Sequence, residues 1–284
     1  MTGTSFTQET FDGPIPGIPG AIIREAGRLP DHLPNARVIG PETEVAPGAL
    51  LFVVPGVARY LVRGGTAIEV APFPGCDRDA ARLFLRCSAR GTLIHQRGEV
   101  PLYGAAMVAP GGTCVAICGL SGAGKSTLAF ELSRRGWLLL AEDITRVSRD
   151  GSNMMAWRGD DAVSLWRDAC EAAGLVISRL KRVRAGLERY YVPLAPASVP
   201  ARLGVIAVLR IAPGPGIFEL SRDQRREILP GCVFRPRQAL ALGLRDIHAR
   251  MIAQVAESCR MIVLDGAKQS PITEIADRLV QAIR

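Results

Sequence analysis

The chain has 284 residues, of which 48% are hydrophobic and 22% charged, a composition that excludes a disordered tail. No stretch approaches the ~18 uncharged apolar residues of a spanning helix, and no basic-then-apolar signal pattern opens the sequence. We therefore expect a cytoplasmic protein without a membrane partner. The formal net charge is +8, but the basic residues are nearly all arginines spread along the chain, which argues against a nucleic-acid partner.

The seven cysteines are scattered through the sequence. Cys114 and Cys118 are four residues apart in a predicted strand, so they share a face and are expected to point into the packing. No Cys or His neighbours complete a metal site with them. We predict buried, reduced thiols, as in other cytoplasmic proteins.

The N-terminal part of the chain, residues 1–97, is predicted to form a small αβ lead-in domain. Its first forty-odd residues are rich in Pro and Gly and predict an extended arm with little regular structure. Residues 49–72 alternate short β-prone runs with turn residues, which predicts two or three antiparallel strands. Residues 77–98 begin with an Asp cap and have apolar residues at helical spacing, which predicts a helix.

The remaining residues, 98–284, have more buried-strand patterns and are predicted to form the second domain. Two apolar strands separated by a turn at Gly111 and Gly112 come first, followed by a helix ending at Gly136 and a strand at 137–143. The later predicted elements are a helix at 164–174, a strand at 202–212, helices around 237–256, a strand at 261–266 and a C-terminal helix capped by Ser270.

A phosphate-binding pattern, G-x-x-x-x-G-K-[ST], is present at residues 119–126 between the strand CVAIC and the helix TLAFELSRRG. Glycines let successive backbone N–H groups turn inward at a helix N-terminus, which makes an anion nest. Lys125 is expected to reach the β- and γ-phosphates, and the Ser126 hydroxyl to ligate Mg²⁺. The pattern predicts ATP, with GTP less favoured, as the nucleotide. The predicted nucleotide-binding residues are Gly119, Ser121, Gly122, Ala123, Gly124, Lys125, Ser126 and Thr127.

An acidic pair, Glu142 and Asp143, ends the strand that follows the helix of this pattern. Ligands of open α/β sheets bind at the carboxyl ends of strands, so we expect this strand next to the phosphate-loop strand, with both carboxylates facing the phosphates. Together with Ser126 the pair supplies oxygen ligands for Mg²⁺, and one carboxylate is free to accept a proton from a hydroxyl. The alternative is a capping pair that only binds arginines.

Residues 102–147 resemble the catalytic core of the HPr kinase-like proteins, whose fold is related to that of PEP carboxykinase. The resemblance rests on LYGAAMV, the loop GLSGAGKS, a helix ending in Arg-Gly and a strand ending in two acids. It implies an α/β fold with a P-loop core, in which Lys125 binds phosphate, Asp143 ligates the metal and Glu142 is the base. Tyr103 stands where the family has His. A phenol of pKa about 10 is no proton reservoir at neutral pH, which argues against the family's reverse, phosphate-removing reaction.

The leading hypothesis is an ATP- and Mg²⁺-dependent kinase that phosphorylates a serine of a peptide or small protein. The resemblance to short stand-alone relatives implies a ribosomally made precursor, such as that of a lasso peptide, as one acceptor, and a homo-oligomer as one assembly. Two alternatives stay open. Because Tyr103 and Glu142 depart from the family pattern, the chain can be a nucleotide-gated binding module; acceptor pockets lack a fixed motif, so it can also be a small-molecule kinase.

Three further groups of residues are candidates with a structural alternative. His95 is a candidate replacement histidine, although packing at a helix end is favoured. The arginines of the basic segment 179–191 are candidate clamps for a phosphate or an acidic substrate, against a solvated helix face; they are Arg182, Arg184 and Arg189. The tryptophans are expected to pack; they are Trp137, Trp157 and Trp166.

Overall fold

Three β-sheets form the framework of the protein in its computed structural model, which describes residues 11–266 and 270–283. Helices accompany the sheets along the chain, so the mixed α/β class predicted from the sequence is confirmed. None of the helices within the described ranges is long and apolar enough to cross a membrane.

The first sheet, here called the N-terminal sheet, has seven strands in the order β1-β2-β7-β6-β5-β4-β3. The strands are β1 (Gly13–Pro14), β2 (Ile22–Glu25), β3 (Arg37–Gly40), β4 (Thr43–Ala46), β5 (Ala49–Val54), β6 (Ala58–Arg63) and β7 (Ala67–Pro72). The prediction of two or three antiparallel strands for residues 49–72 is confirmed, with three strands: β5, β6 and β7. The prediction of an irregular arm was wrong for residues 13–46, because four short strands there add to both edges of the sheet. Residues 1–10 lie outside the described part.

One long helical segment packs against this sheet. It consists of α1 (Arg78–Phe84), a π-helical turn (Leu85–Ala89) and α2 (Arg90–Gln96). Asp77 caps it as predicted, since its carboxylate accepts hydrogen bonds from two backbone N–H groups of the first turn. Apolar side chains of the segment, such as Ala81 and Leu93, join the buried cluster under the N-terminal sheet.

The rest of the chain contains eleven further strands in the described residues. They are β8 (Val100–Val108), β9 (Cys114–Gly119), β10 (Leu138–Ala141), β11 (Ile144–Asp150), β12 (Asn153–Ala156), β13 (Ala162–Trp166), β14 (Lys181–Arg182), β15 (Arg189–Pro193), β16 (Ala201–Ile211), β17 (Gly216–Glu219) and β18 (Arg260–Gly266). β13, β15 and β14 form a small three-stranded sheet. The other eight form the central sheet, in which β16 runs parallel to both β9 and β18.

Six helices follow the central strands. They are α3 (Lys125–Ser133), α4 (Arg167–Ala172), α5 (Arg222–Ile228), α6 (Pro236–Ala241), α7 (Arg245–Ser258) and α8 (Ile272–Ala282).

The Gly111–Gly112 turn is confirmed by the backbone bond from Gly112 to Ala109. The helix predicted at 164–174 begins only at Arg167, because the preceding residues pair as β13. Ser270 is not the cap of α8: Pro271 occupies that position, with an extended backbone.

The strand β8 organises the central sheet. Its second half pairs with β9 on one side, and β10 pairs with it on the other. Ala141 of β10 pairs with Ala106 of β8, and Ile144 of β11 pairs with Tyr103 of β8. The pairing thus advances by three residues from β10 to β11 and goes back by three residues along the antiparallel β8. From Ala141 onwards, after an irregularity between Leu139 and Ala141, β10 and β11 therefore follow β8 in one register, interrupted by the two acidic residues. The acidic strand was expected beside β9, and this was wrong because β8 lies between them.

Cys114 and Cys118 are fully buried in the core of the central sheet, which confirms the prediction for these two thiols. The alternating faces of β9 explain this. Both residues point to the side covered by α7 and its neighbours, whereas Val115 and Ile117 point to the side covered by α3 and α8.

Candidate active site

Residues 119–126, here called the glycine loop, connect β9 to α3. Gly119, Gly122 and Gly124 have φ values of 144°, 81° and 94°, in the region that favours glycine. A Cβ atom at Gly119 would lie 2.4 Å from the carbonyl oxygen of Leu209, so a side chain is excluded there. At Gly122 no described atom lies within 4 Å of such a Cβ position, and the loop is open on that side. Positive φ values at glycines are the backbone conformation that an anion nest at a helix N-terminus requires.

The Lys125 amine lies inside this loop. It donates to the carbonyl oxygens of Gly119 and Leu120, at 3.0 and 2.9 Å, and lies 4.3 Å from the centre of the Tyr103 ring. Burial lowers the pKa of Lys125, while the nearby charge of Asp143 opposes this shift. Contact with a phosphate would require the amine to exchange the carbonyl oxygens for the anion.

Glu142 is buried directly beside the first turn of α3. The Ser126 hydroxyl donates to its Oε1 atom at 2.6 Å, and the backbone N–H of Ser164 donates to the same atom at 3.4 Å. Burial raises the pKa of Glu142 to about 8, and the charge of Asp143 adds to this shift, whereas the bond from Ser126 opposes it. Two of the predicted magnesium ligands, Ser126 and Glu142, are thus in direct contact.

Asp143 has a left-handed backbone, with φ of 55°, a conformation that Asp adopts more readily than most residues. Its carbonyl oxygen accepts a bond from the backbone N–H of Gly104. Its carboxylate lies 3.8 Å from the guanidinium of Arg189 and accepts from the Cys87 thiol at 3.6 Å. Groups from three different elements therefore hold Asp143 in place, one at its backbone and two at its carboxylate.

Strand register explains why the acids and the glycine loop meet. Asp143 lies opposite Gly104 of β8, and Gly104 pairs with Cys118, the residue before the loop begins. Since neighbouring strands are about 4.8 Å apart, this row of three strands places the acidic backbone about 10 Å from the end of β9. Side chains from both sides can span that gap.

Tyr103 contacts the glycine loop at two points. Its ring lies under the Lys125 amine, and its phenol group lies near Ser121. Burial raises the pKa of Tyr103 further above neutrality. The side chain thus orients the loop and remains protonated at neutral pH.

The candidate replacement histidine lies elsewhere. His95 is fully buried, its Nδ1 lies 3.0 Å from Nε2 of His248, and its Nε2 donates to the carbonyl oxygen of Phe234. Burial lowers its pKa to about 3, and repulsion from His248 adds to this effect. The structure gives it a packing role.

The basic segment 179–191 was considered as a helix face, and this was wrong. It contains a short 3-10 turn and the strands β14 and β15 instead. Arg189 faces Asp143, whereas Arg182 pairs with Glu188 at 2.7 Å and Arg184 lies near Asp77.

The three tryptophans differ in their surroundings. Trp137 is buried, Trp157 stacks on the guanidinium of Arg146, and Trp166 is 50% exposed. The packing prediction is therefore wrong for Trp166, which lies at the end of β13.

Three residues around the acids were not identified from the sequence as parts of one site. Cys87 comes from the π-helical turn, Ser164 from β13, and Arg189 had been considered only as a member of the basic segment. No local motif distinguishes them, because each is brought to the site by tertiary packing.

A cavity of about 640 Å³ adjoins the two acids, within the size range of ligand-binding pockets. Its lining includes Glu142, Asp143 and Ser164, together with Arg86, Asp160 and Pro16. Space for a small molecule is therefore present beside the carboxylates, on the side of the N-terminal sheet.

No family model matches the chain, and no curated protein matches it. Among solved structures, the chain is similar to one described as the structure of the Hpr(Ser) kinase/phosphatase from Coxiella burnetii, with a TM-score of 0.35 and 13% sequence identity. The similarity covers 65% of this chain and 90% of that chain. A likeness this distant carries no conclusion about activity, which has to come from the chemistry of the site.

Proposed function

We propose that the chain is a kinase that uses ATP and Mg²⁺ to phosphorylate a hydroxyl group, with serine in a peptide or a small protein as the acceptor. The proposal depends on one observation above all: the hydroxyl of Ser126, at the end of the glycine loop, lies 2.6 Å from the carboxylate of Glu142. The glycine loop and a buried acid thereby share one site.

The residues present fit a nucleotide and its cation. The glycine loop would hold the phosphates through its backbone N–H groups, and Lys125 would neutralise part of their charge. Ser126, Glu142 and Asp143 offer hydroxyl and carboxylate oxygens, the donors that Mg²⁺ prefers. When bound, the cation would neutralise charge on the β- and γ-phosphates.

In the proposed reaction the acceptor oxygen attacks the γ-phosphorus. A bond forms between that oxygen and phosphorus, the bond from phosphorus to the β–γ bridging oxygen breaks, and ADP leaves with its electron pair. Glu142 in its ionised form accepts the proton of the hydroxyl; Lys125 and Arg189 supply positive charge near the two carboxylates. General-base help of this kind is worth about 10²–10⁴-fold.

The test is incubation of the chain with ATP, Mg²⁺ and serine peptides, with phosphopeptides detected by mass spectrometry. We expect Lys125→Ala to lose ATP binding, since it removes the amine inside the loop. Glu142→Gln is expected to retain ATP binding and to lose transfer by about 10²–10⁴-fold. Glu171→Gln, an exposed carboxyl change on α4, is the matched control.

Each outcome separates the alternatives. Normal turnover by Glu142→Gln would remove Glu142 from the mechanism. ATP binding without any phosphorylated product would favour the nucleotide-gated binding module. Phosphorylation of small hydroxy compounds but of no peptide would identify a small-molecule kinase.

A further inference from the structure

Arg90, at the start of α2, is buried with too few acceptors for its charge. Its side chain is 4% exposed, and its Nε and Nη2 atoms have no hydrogen-bond partner among the described residues. Its Nη1 atom lies 3.7 Å from the Asp160 carboxylate, beyond hydrogen-bond distance. A guanidinium has five N–H donors, and burying them without acceptors costs several kcal/mol. A missing anionic partner accounts for this arrangement.

The surroundings of Arg90 fix it in place. A Cβ atom at Gly159 would lie 3.1 Å from Nη2 of Arg90, so the backbone of residue 159 lies directly against the guanidinium. Arg86, one helical turn earlier, lies 3.7 Å from the same Asp160 carboxylate. Two guanidinium groups therefore share one carboxylate, and the cluster of Arg86, Arg90 and Asp160 has an excess of one positive charge.

This cluster lies between two cavities. Arg86, Arg90 and Asp160 line a cavity of about 200 Å³ whose other walls are mainly apolar. Arg86 and Asp160 also line the 640 Å³ cavity that contains Glu142 and Asp143. The two cavities share these residues as lining, and Arg86 is the guanidinium group that faces the cavity of the acids.

We propose that the acceptor has a carboxylate besides its hydroxyl, and that this carboxylate binds Arg90 and Arg86 while the hydroxyl lies at Glu142. The inference rests on the proposed kinase function and names the chemistry of its acceptor. A carboxylate fits because Asp160 already presents one to the same two arginines, and because guanidinium and carboxylate form paired, charge-assisted hydrogen bonds. Either an acidic side chain near the serine of a peptide or a free hydroxy acid supplies this chemistry.

The test compares serine peptides that contain one Asp or Glu at successive positions around the serine with otherwise identical Asn or Gln peptides. With ATP and Mg²⁺ we expect kcat/KM for at least one acidic peptide to exceed that of its amide partner by about tenfold or more. Free L-serine and glycerate are assayed in parallel. A preference among the peptides identifies an acidic side chain as the source, and turnover of the free acids alone identifies a hydroxy acid.

Variants assign the preference to the cluster. Arg90→Gln and the more exposed Arg86→Gln are each expected to bring the acid-to-amide ratio close to one, whereas Asp160→Asn, which removes a competing carboxylate, is expected to raise it. Arg222→Gln is the control, because this exposed arginine pairs with Glu257 and lines neither cavity. If Arg90→Gln does not fold, Arg86→Gln and Asp160→Asn still decide the question through their opposite effects.

A binding measurement separates this inference from the kinase proposal. Fluorescence anisotropy of a labelled acidic serine peptide is recorded without ATP. Binding that Arg86→Gln weakens, in a protein that phosphorylates nothing, supports the carboxylate site and contradicts the kinase. Equal transfer to acidic and amide peptides, or variants that slow all acceptors alike, would overturn the carboxylate site and leave the kinase standing.

Discussion

Glu142 combines two properties that rarely coincide in one side chain. It is almost completely buried, yet it lies next to a serine hydroxyl, a second carboxylate and the end of a glycine-rich loop. Burial favours its neutral form, whereas a role as metal ligand or base requires the charged form. A bound cation, or the Lys125 amine moving closer, would stabilise the charged form and lower the pKa of Glu142.

This conflict predicts how stability depends on pH in the metal-free protein. The pKa of Glu142 is raised from 4.5 to about 8, so between these values the folded state binds more protons than the unfolded state. Stability due to this group is present below pH 4.5 and is lost as the pH rises through about 8. In EDTA at pH 9 we expect Glu142→Gln to be more stable than the wild type by up to about 5 kcal/mol, with little difference at pH 4.

Thermal unfolding at the two pH values measures the difference. A shift of up to about 10–20 °C in favour of the variant at pH 9 is the expected size for a chain of this length. Equal melting temperatures at pH 9 would show that folding does not raise the pKa of Glu142, and would contradict the prediction.

Local sequence patterns identify some of the side chains that meet around the two acids and miss others. It connected Ser126 with Glu142 because both follow directly from the phosphate-loop pattern and its next strand. It did not connect Cys87 with the acids, because the π-helical turn that presents this residue has no reliable local signal. Contacts between residues distant in the chain are set by packing and are absent from local patterns.

Among the elements, β8 leaves no room for a larger side chain at Gly104. Gly104 lies where β8 passes between β9 and the two acids, and a Cβ atom there would lie 2.0 Å from the carbonyl oxygen of Ile117. The Gly104 N–H also donates to Asp143, and its carbonyl oxygen accepts from the Thr145 hydroxyl. A displacement of this residue would therefore move the strand and the acids together.

We expect Gly104→Ala to destabilise the protein by about 3 kcal/mol or more, since the clashing atom belongs to the backbone of a central strand and cannot move cheaply. Gly111→Ala is the matched control: no described atom lies within 4 Å of its Cβ position, so its effect should stay within about 0.5 kcal/mol. Chemical denaturation of both variants measures the contrast. A Gly104→Ala protein as stable as the Gly111→Ala protein would contradict the packing described for β8.

Among the helices and strands, those with long apolar runs were the most predictable from the sequence. The strands β9, β16 and β18 and the capped helix after Asp77 were expected from composition and spacing alone. Neighbour relations were not: the acidic strand pairs with β8 and not with β9, because pairing partners are chosen by the whole sheet. Short strands such as β1 and β2 escaped prediction since Pro and Gly dominate their surroundings, although an existing sheet edge supplies their hydrogen bonds.

For the molecule as a whole, Arg146 connects the central sheet to the N-terminal part. This buried side chain on β11 forms two hydrogen bonds with Glu99, at 2.6 and 2.7 Å, and donates to the carbonyl oxygen of Gly17 at 2.6 Å. The Trp157 ring covers the guanidinium. Gly17 itself lines the larger cavity, so the same contact supports the wall of the candidate acceptor site.

Removal of this connection is expected to be costly. Arg146→Met leaves the largely buried Glu99 with Arg97 as its partner, at 3.4 Å, and should lower the free energy of unfolding by about 3 kcal/mol, the lower end for a broken buried pair. Arg28→Met, which breaks an ion pair between two exposed side chains, should cost at most about 1 kcal/mol. Adding Glu99→Gln to Arg146→Met should restore part of the loss, as measured by denaturant titration. A loss no larger than that of Arg28→Met would mean that the two parts are held together by other contacts.

The shared register of β10 and β11 has a consequence for how the chain can vary. Side chains alternate between the two faces of a strand, and an interruption of two residues preserves that alternation, so Ile144 meets the N-terminal cluster and Val147 the core of the central sheet. Deleting one acid would turn β11 over and exchange these faces, whereas replacing either acid would not. The fold therefore tolerates substitution of either acid but fixes the number of residues between β10 and β11. Insertions or deletions there should be incompatible with the fold.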